Sequence, residues 1–266
     1  MIYLQGYIMR VSYAADLPII TLPNSALTGV QLTNDKDYAK FTSYEARIPA
    51  ETTVALRSPD SEQSVHIYYC ISGKGKCVEA GGQNQREICP DTVMALSSDV
   101  TYELKVSAEG GMRLFLVYYP DAQVVYRSLA VVRSLSEVVG TDRDIDWGGG
   151  HSRRYLIKQD GFPLGIHNTW VYPKTCSRMC YMNHIEGAYY IAGKVTYEWQ
   201  DTSGDWVHAT TKTDSANGTN YLMNMHDCHV VKVHDEEALC ICIFDPVLTG
   251  DEIHHLSEGG FSGYKS

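Results

Sequence analysis

The feature that most limits how this chain can fold is that it reads twice. The segment from His66 to Lys74 (HIYYCISGK) lines up with Glu186 to Lys194 (EGAYYIAGK), an offset of 120 residues. Asp91 to Leu96 (DTVMAL) lines up with Gly218 to Met223 (GTNYLM), an offset of 127, and Leu114 to Pro120 with Cys240 to Pro246, an offset of 126. Three segments in the same order at nearly constant offset argue for an internal duplication. Within each copy, short alternating runs such as Tyr102 to Val106 and Met112 to Tyr119 are separated by glycine turns such as Gly81-Gly82 and Gly110-Gly111. That pattern, with no long helical period, predicts an all-β chain of two β-barrels in tandem with a few short helices. Each half is long enough to bury its own core.

Residues 1–20 carry little pattern and read as a poorly ordered leader; residues 21–130 form the first barrel and residues 131–266 the second. The boundary rests on a brief helical pattern from Val131 to Val139, followed by Gly140 and by the run Gly148 to Gly150.

The copies are not chemically equal. Nine of ten histidines and all four tryptophans follow residue 140. A borderline or hard metal wants a carboxylate, an imidazole and a phenolate converging on one point, which small barrels supply by aiming side chains of different strands at the axis. In the second copy Glu186 and His184 share a strand face, and Tyr221, His226 and His229 lie on a strand–turn–strand segment that can reach the same point. His226 reads equally as a ligand or as a turn residue. The matching positions of the first copy are His66, Met94 and Tyr102, a poor set for a divalent ion. Chemistry is therefore expected in the second half, with the first as scaffold.

A net charge of −10 makes nucleic acid and anionic membranes unlikely partners. No apolar run is long enough to span a bilayer, and the start does not read as a signal peptide. The eight cysteines form no CxxC pair and several lie in apolar strands, which predicts free thiols and a cytoplasmic location.

The second half resembles ectoine synthase, a small cupin-fold enzyme. The resemblance is carried by Val132 to Leu135, Gly140 to Asp144, Ser152 to Gly161, Tyr181 to Tyr190, Tyr221 to His229 and Cys242 to His254. The first half resembles a diverged copy of the same barrel, so the fold expected is a bicupin. The resemblance implies that Glu186, Tyr221 and His229 hold iron, as Fe(II) or another divalent metal in its place. It implies a substrate pocket of Arg154, Thr169, Tyr181, His184, Cys242 and Phe244, with Glu252, His254 and Tyr221 as catalytic groups. The implied reaction closes N-γ-acetyl-L-2,4-diaminobutyrate, a small-molecule substrate, to a cyclic amidine with loss of water. The family is a dimer of identical barrels, so the first half is expected to replace one subunit internally, giving a pseudo-dimer that is a monomer or homodimer of chains.

Each residue also has a plainer reading. Arg154 reads as a surface ion-pair partner, Cys242 as a buried structural thiol, His254 as a solvated tail residue and Glu252 as an exposed turn carboxylate. Phe244 packs under either reading. Gly150 stands where the family carries a tryptophan, which leaves the substrate open and suggests that Trp147 or Trp170 fills the gap. The family's Phe-Asn-Pro reads Phe244-Asp245-Pro246 here. Two other activities compete: a different cupin lyase or dioxygenase, and a non-catalytic small-molecule-binding bicupin.

Overall fold

The computed structural model describes residues 9–22, 27–34, 37–56, 64–82, 84–120, 129–252, 254, 261, 263 and 264. The chain is nearly all β, and its helical residues are three short 3-10 turns among the described residues. It divides into two compact units: one holds the chain up to Asp16, Gly140–Gln159 and Leu164 onward, the other Leu17–Val139 and Asp160–Pro163.

Each unit is built from a seven-stranded and a four-stranded antiparallel sheet. In the second-half unit the larger sheet runs Arg10–Tyr13, Thr219–Met223, Ile185–Ala192, Ala238–Asp245, Gly165–Val171, Gly150–Arg154 and Asp144–Asp146. The smaller runs Cys176–Met179, His229–Val233, Val195–Gln200 and Trp206–Thr210. The first-half unit repeats this order strand for strand. The duplication is registered at single residues: Tyr68 pairs Met94 and Leu116, while Ala188 pairs Tyr221 and Cys242. Those partners are related by the offsets 120, 127 and 126 read from the sequence.

Alternation explains the cores. Along Ile185–Ala192 the side chains of Ala188 and Tyr190 join the barrel core, and Tyr189 is buried on the opposite face. A strand covered on both faces reads as an almost continuous apolar run, which makes Glu186 at its start conspicuous. In the first copy the equivalent face carries Tyr68 and Cys70, and Met94 and Leu104 complete an apolar core. His66 there is buried, bonded to the Tyr68 hydroxyl at 3.3 Å, and pushed down to about 4 by burial.

The supposed leader is corrected by the sheet order. Residues 1–8 lie outside the described residues, but Arg10–Tyr13 pairs antiparallel with Thr219–Met223, with Val11 opposite Tyr221. The boundary shifts as well. Residues Ala130–Ser134 are a strand rather than helix and pair with Thr92–Ser97 of the first copy, with Val132 opposite Met94. A capping box between Ser134 and Glu137 then turns the chain into a single 3-10 turn at Leu135–Glu137. The opening strand of each copy thus completes the sheet of the other. Short edge strands carry no composition that says which sheet they join, so the sequence pattern missed both.

The expectation of eight free thiols is also corrected: Cys180 and Cys228 form a disulfide. Met179 is opposite His229 in the ladder, so the next residues outward meet across the strand pair. Among the described residues no helix is long and apolar enough to cross a membrane.

Candidate active site

A small cavity opens inside the second-half unit, lined by side chains of both its sheets. Its polar floor is Glu186, buried on Ile185–Ala192 and opposite Phe244 in the ladder. Burial pushes this carboxyl well above its ordinary range, the neighbouring Cys242 adds to the rise, and a hydrogen bond from Tyr181 opposes it. The Tyr181 hydroxyl lies 3.2 Å from Nε2 of His254, so a continuous polar chain runs His254–Tyr181–Glu186–Cys242. At its far end the Sγ atoms of Cys242 and Cys240 are 3.3 Å apart, and Thr169 bonds Cys242. The Cys242 thiol is raised well above its ordinary value by its bond to Cys240 and by burial, so it stays protonated at neutral pH.

Of the residues expected at the site, Glu186, Thr169, Tyr181, Cys242, Phe244 and His254 line the cavity. The others lie elsewhere. Arg154 is fully buried rather than on the surface, and its two terminal nitrogens are committed to the carbonyls of Gly250, at 2.6 Å, and Glu252, at 2.5 Å. Only Nε is left without a partner among the described residues, so a two-bond grip on a substrate carboxylate is not available to it as placed. Glu252 is a turn carboxylate: it accepts from the backbone of Thr249 and Gly250 and from the Thr249 hydroxyl. Burial tends to raise it, but those bonds prevail and hold it low. His184 is half-buried, its ring 6.3 Å from that of Phe244 and 6.1 Å from that of Tyr264. His226 resolves as a turn residue with φ of +70°.

The three donors expected to hold a metal are divided. Tyr221 gives its hydroxyl to the carbonyl of Ala209 at 3.1 Å. His229 is anchored through Nδ1 to the carbonyl of Asp227 at 2.7 Å, its Nε2 has no partner among the described residues, and burial lowers it to about 4. Neither lines the cavity with Glu186; Tyr197 does, and its ring is stacked on Tyr221 at 4.0 Å and on His229 at 5.3 Å. An orphaned imidazole nitrogen and a buried carboxyl are the right chemistry for a cation, and of the three expected donors Glu186 lines the cavity. No group of three His, Cys, Asp or Glu side chains is placed to hold a metal among the described residues.

The sequence reading missed Tyr190, Tyr197, Cys240 and Tyr264, which also line the cavity. Tyr190 and Cys240 were legible by alternation from Glu186 and Cys242. Tyr264 was not, since it reaches the site through an isolated bridge to His254. Of the two tryptophans considered for the gap at Gly150, Trp147 lines the cavity and Trp170 instead bonds Glu237. Gly150 itself is pressed against the next strand, where a Cβ would meet the carbonyl oxygen of Trp170 at 2.2 Å.

A family model described as ectoine synthase matches residues 130–264. The L-ectoine synthase of Desulfosudis oleivorans is 38% identical over 131 residues, 49% of this chain and 95% of that protein. The L-ectoine synthase of Desulfatibacillum aliphaticivorans is 37% identical over 126 residues, 47% of this chain and 91% of that protein. Over the whole chain the fold resembles protein Ylba from E. coli, with a TM-score of 0.69 at 15% identity, covering 89% of this chain and 90% of that one. A mutant of Bacillus subtilis oxalate decarboxylase gives a TM-score of 0.65 at 12% identity, covering 91% and 78%. Those two likenesses speak for the fold alone, a tandem cupin. Through its second half, then, the chain belongs to the ectoine synthase family.

Proposed function

We propose that the second-half barrel of this hydro-lyase closes N-γ-acetyl-L-2,4-diaminobutyrate, or a close N-acylated diamino acid, to a cyclic amidine. The observation that carries the reading is the polar chain His254–Tyr181–Glu186 in the cavity of a half-chain that matches an L-ectoine synthase over 95% of that protein's length. In ring closure the free amine attacks the amide carbon, a C–N bond forms, and the carbonyl oxygen leaves as water with the two amine protons. Holding the folded substrate in an enclosed site supplies much of the rate, because the reacting ends are already together. Glu186, held protonated by burial, gives a proton to the departing oxygen and recovers one from the amine, while the Tyr181–His254 pair passes the other amine proton to that oxygen. Phe244 and Trp147 keep bulk water from the carbon under attack.

Glu186, Tyr221 and His229 are the residues that would hold Fe(II) or another divalent ion, whose Lewis acidity would polarise the amide carbonyl, and no step here is routed through it. Among the proteins of like fold, Bacillus subtilis oxalate decarboxylase has Mn(II) centres. Glu252 and Arg154 act in this reading by holding the C-terminal segment that carries His254. The first half, lacking an equivalent carboxyl, is scaffold, standing in for a second subunit. A cytoplasmic location is kept, although the Cys180–Cys228 bond removes the free-thiol part of its argument.

The test is to incubate purified chain with N-γ-acetyl-L-2,4-diaminobutyrate and follow the ring methyl of the product by proton NMR. Turnover that falls at least 100-fold in Glu186→Gln and in Tyr181→Phe supports the reading; full activity in both refutes it. The divided donor set favours one second reading, a barrel that binds a small molecule without turning it over.

A further inference from the structure

On the outside of the second-half barrel, two facing segments gather four soft donors that ring closure does not use. Cys176–Met179 pairs antiparallel with His229–Val233, with Met179 opposite His229. Two contacts carry that register beyond the end of the ladder. Cys180 is joined to Cys228 by the disulfide, one residue further along each segment. Met182 and His226 come three residues further along, and the Sδ of one lies 3.3 Å from Nδ1 of the other. Between these pairs the amide of His226 donates to the carbonyl of Tyr181 at 2.7 Å.

Alternation sets the direction of the side chains. Met179 and Tyr181 line the cavity, as do Val231 and Val233 on the facing segment. Cys180 and Met182, with Cys228 and His226 against them, therefore stand on the opposite, outer face of the ribbon. Exposure agrees: Met182, His226 and Cys228 are exposed, whereas Tyr181 and His229 are buried. Diagonal neighbours on one face of such a ribbon are about 7–8 Å apart, within reach of long side chains. The duplication supplies a control. The residues 120 before Cys180 and Met182 are Asp60 and Glu62, and those 127 before His226 and Cys228 are Asp99 and Thr101. The first copy offers oxygen at these positions, and only the second offers sulfur and imidazole.

We propose that Cys180, Met182, His226 and Cys228 form a redox-gated site for a soft cation, copper(I), on the outer face of the barrel. While the disulfide stands, the site is closed, because its two strongest donors are spent on each other. A dithiol opens it by exchange: the reductant becomes a disulfide, and its two thiol hydrogens pass to Cys180 and Cys228. The ion then binds with release of those protons, held by two thiolates, an imidazole nitrogen and a thioether. Thiolate and thioether together select copper(I) over hard ions, and a thioether falls outside the usual zinc set of thiolate, imidazole and carboxylate. Bound there, the ion takes over from the disulfide as the clasp between the two segments.

The test uses the full chain without oxygen, both oxidised and after treatment with dithiothreitol and its removal. Copper(I) is the probe, in competition with a coloured copper(I) chelator. The reduced chain should hold one copper(I), and the oxidised chain, which keeps six free cysteines, should hold none against the chelator. Met182→Leu and His226→Ala should each weaken binding by roughly 10–100-fold, while Cys89→Ser and Cys176→Ser leave it unchanged. Copper(I) should also raise the unfolding midpoint of the reduced chain and not of the oxidised one. Equal uptake by the two forms overturns the site, as does uptake that survives Cys228→Ser or is indifferent to both Met182→Leu and His226→Ala. Zinc(II) displacing copper(I) overturns the choice of ion. A reduced chain that loses its β signal in circular dichroism and takes up several copper ions also refutes the proposal, since its buried thiols are then the donors. Should Cys228→Ser fail to fold, Met182→Leu and His226→Ala keep the disulfide and still decide. None of the four residues lines the cavity, so neither result bears on ring closure.

Discussion

Replacing Glu186 by glutamine should make the second-half barrel more stable, and increasingly so as pH rises. Burial sets the carboxyl well above its ordinary value of 4.5. Below that value it is protonated in both the folded and the unfolded chain and affects stability little. As pH rises past it, the unfolded chain releases the proton while the folded chain keeps it. The folded state then binds more protons than the unfolded, so its stability falls by about 1.4 kcal/mol per pH unit until the folded carboxyl itself ionises. Glutamine has no such proton, so the gap between variant and native protein should widen by that slope from about pH 5 upward. For a barrel of this size that is roughly 5 °C in midpoint per unit. All four tryptophans lie in the second half, so urea unfolding followed by tryptophan fluorescence reads that barrel. Asp227 and His184, which also titrate abnormally, are present in both proteins, and their effects cancel in the difference. Parallel stability curves from pH 5 to 7 would refute the reasoning, for they mean that Glu186 is already ionised in the folded state and held by a bound cation.

Tyr197→Phe should cost about 1 kcal/mol through its 3.2 Å bond to the Tyr190 hydroxyl, whereas Tyr197→Ala should cost about 3–5 kcal/mol for the lost buried ring, measured by the same unfolding. Gly150→Trp should not restore a family pocket but prevent folding, because its Cβ has no room beside Trp170; soluble, native-like protein by circular dichroism counters this. Under denaturing conditions thiol titration should find six reactive cysteines before reduction and eight after, and Cys228→Ser should destabilise by roughly 2–4 kcal/mol. Arg154→Ala leaves buried carbonyls and Glu252 without their cation, and should destabilise by about 3–5 kcal/mol and expose the chain after Gly250 to protease; unchanged cleavage would show that another contact holds that segment.

The sequence by itself determined the repeated β architecture, the inequality of the two halves and the family of the second. Periodicity and spacing are local, and a period of two with glycine turns survives in the string of residues. It also placed Glu186 correctly on a strand that otherwise carries apolar residues, and by the same alternation Tyr190 and Cys240 were within reach. Tertiary structure alone decided which edge strand completes which sheet, since Arg10–Tyr13 and Ala130–Ser134 look alike and each joins the other copy's sheet. It alone showed Arg154 and Glu252 serving the C-terminal segment, because a guanidinium's partners here are backbone carbonyls nearly a hundred residues away. It alone brought Tyr264 to the cavity, through a bridge to His254. And it placed the Tyr197 ring against Tyr221 and His229. A family's donor residues are carried by position in the chain, whereas their convergence depends on the volume of every neighbour packed between them.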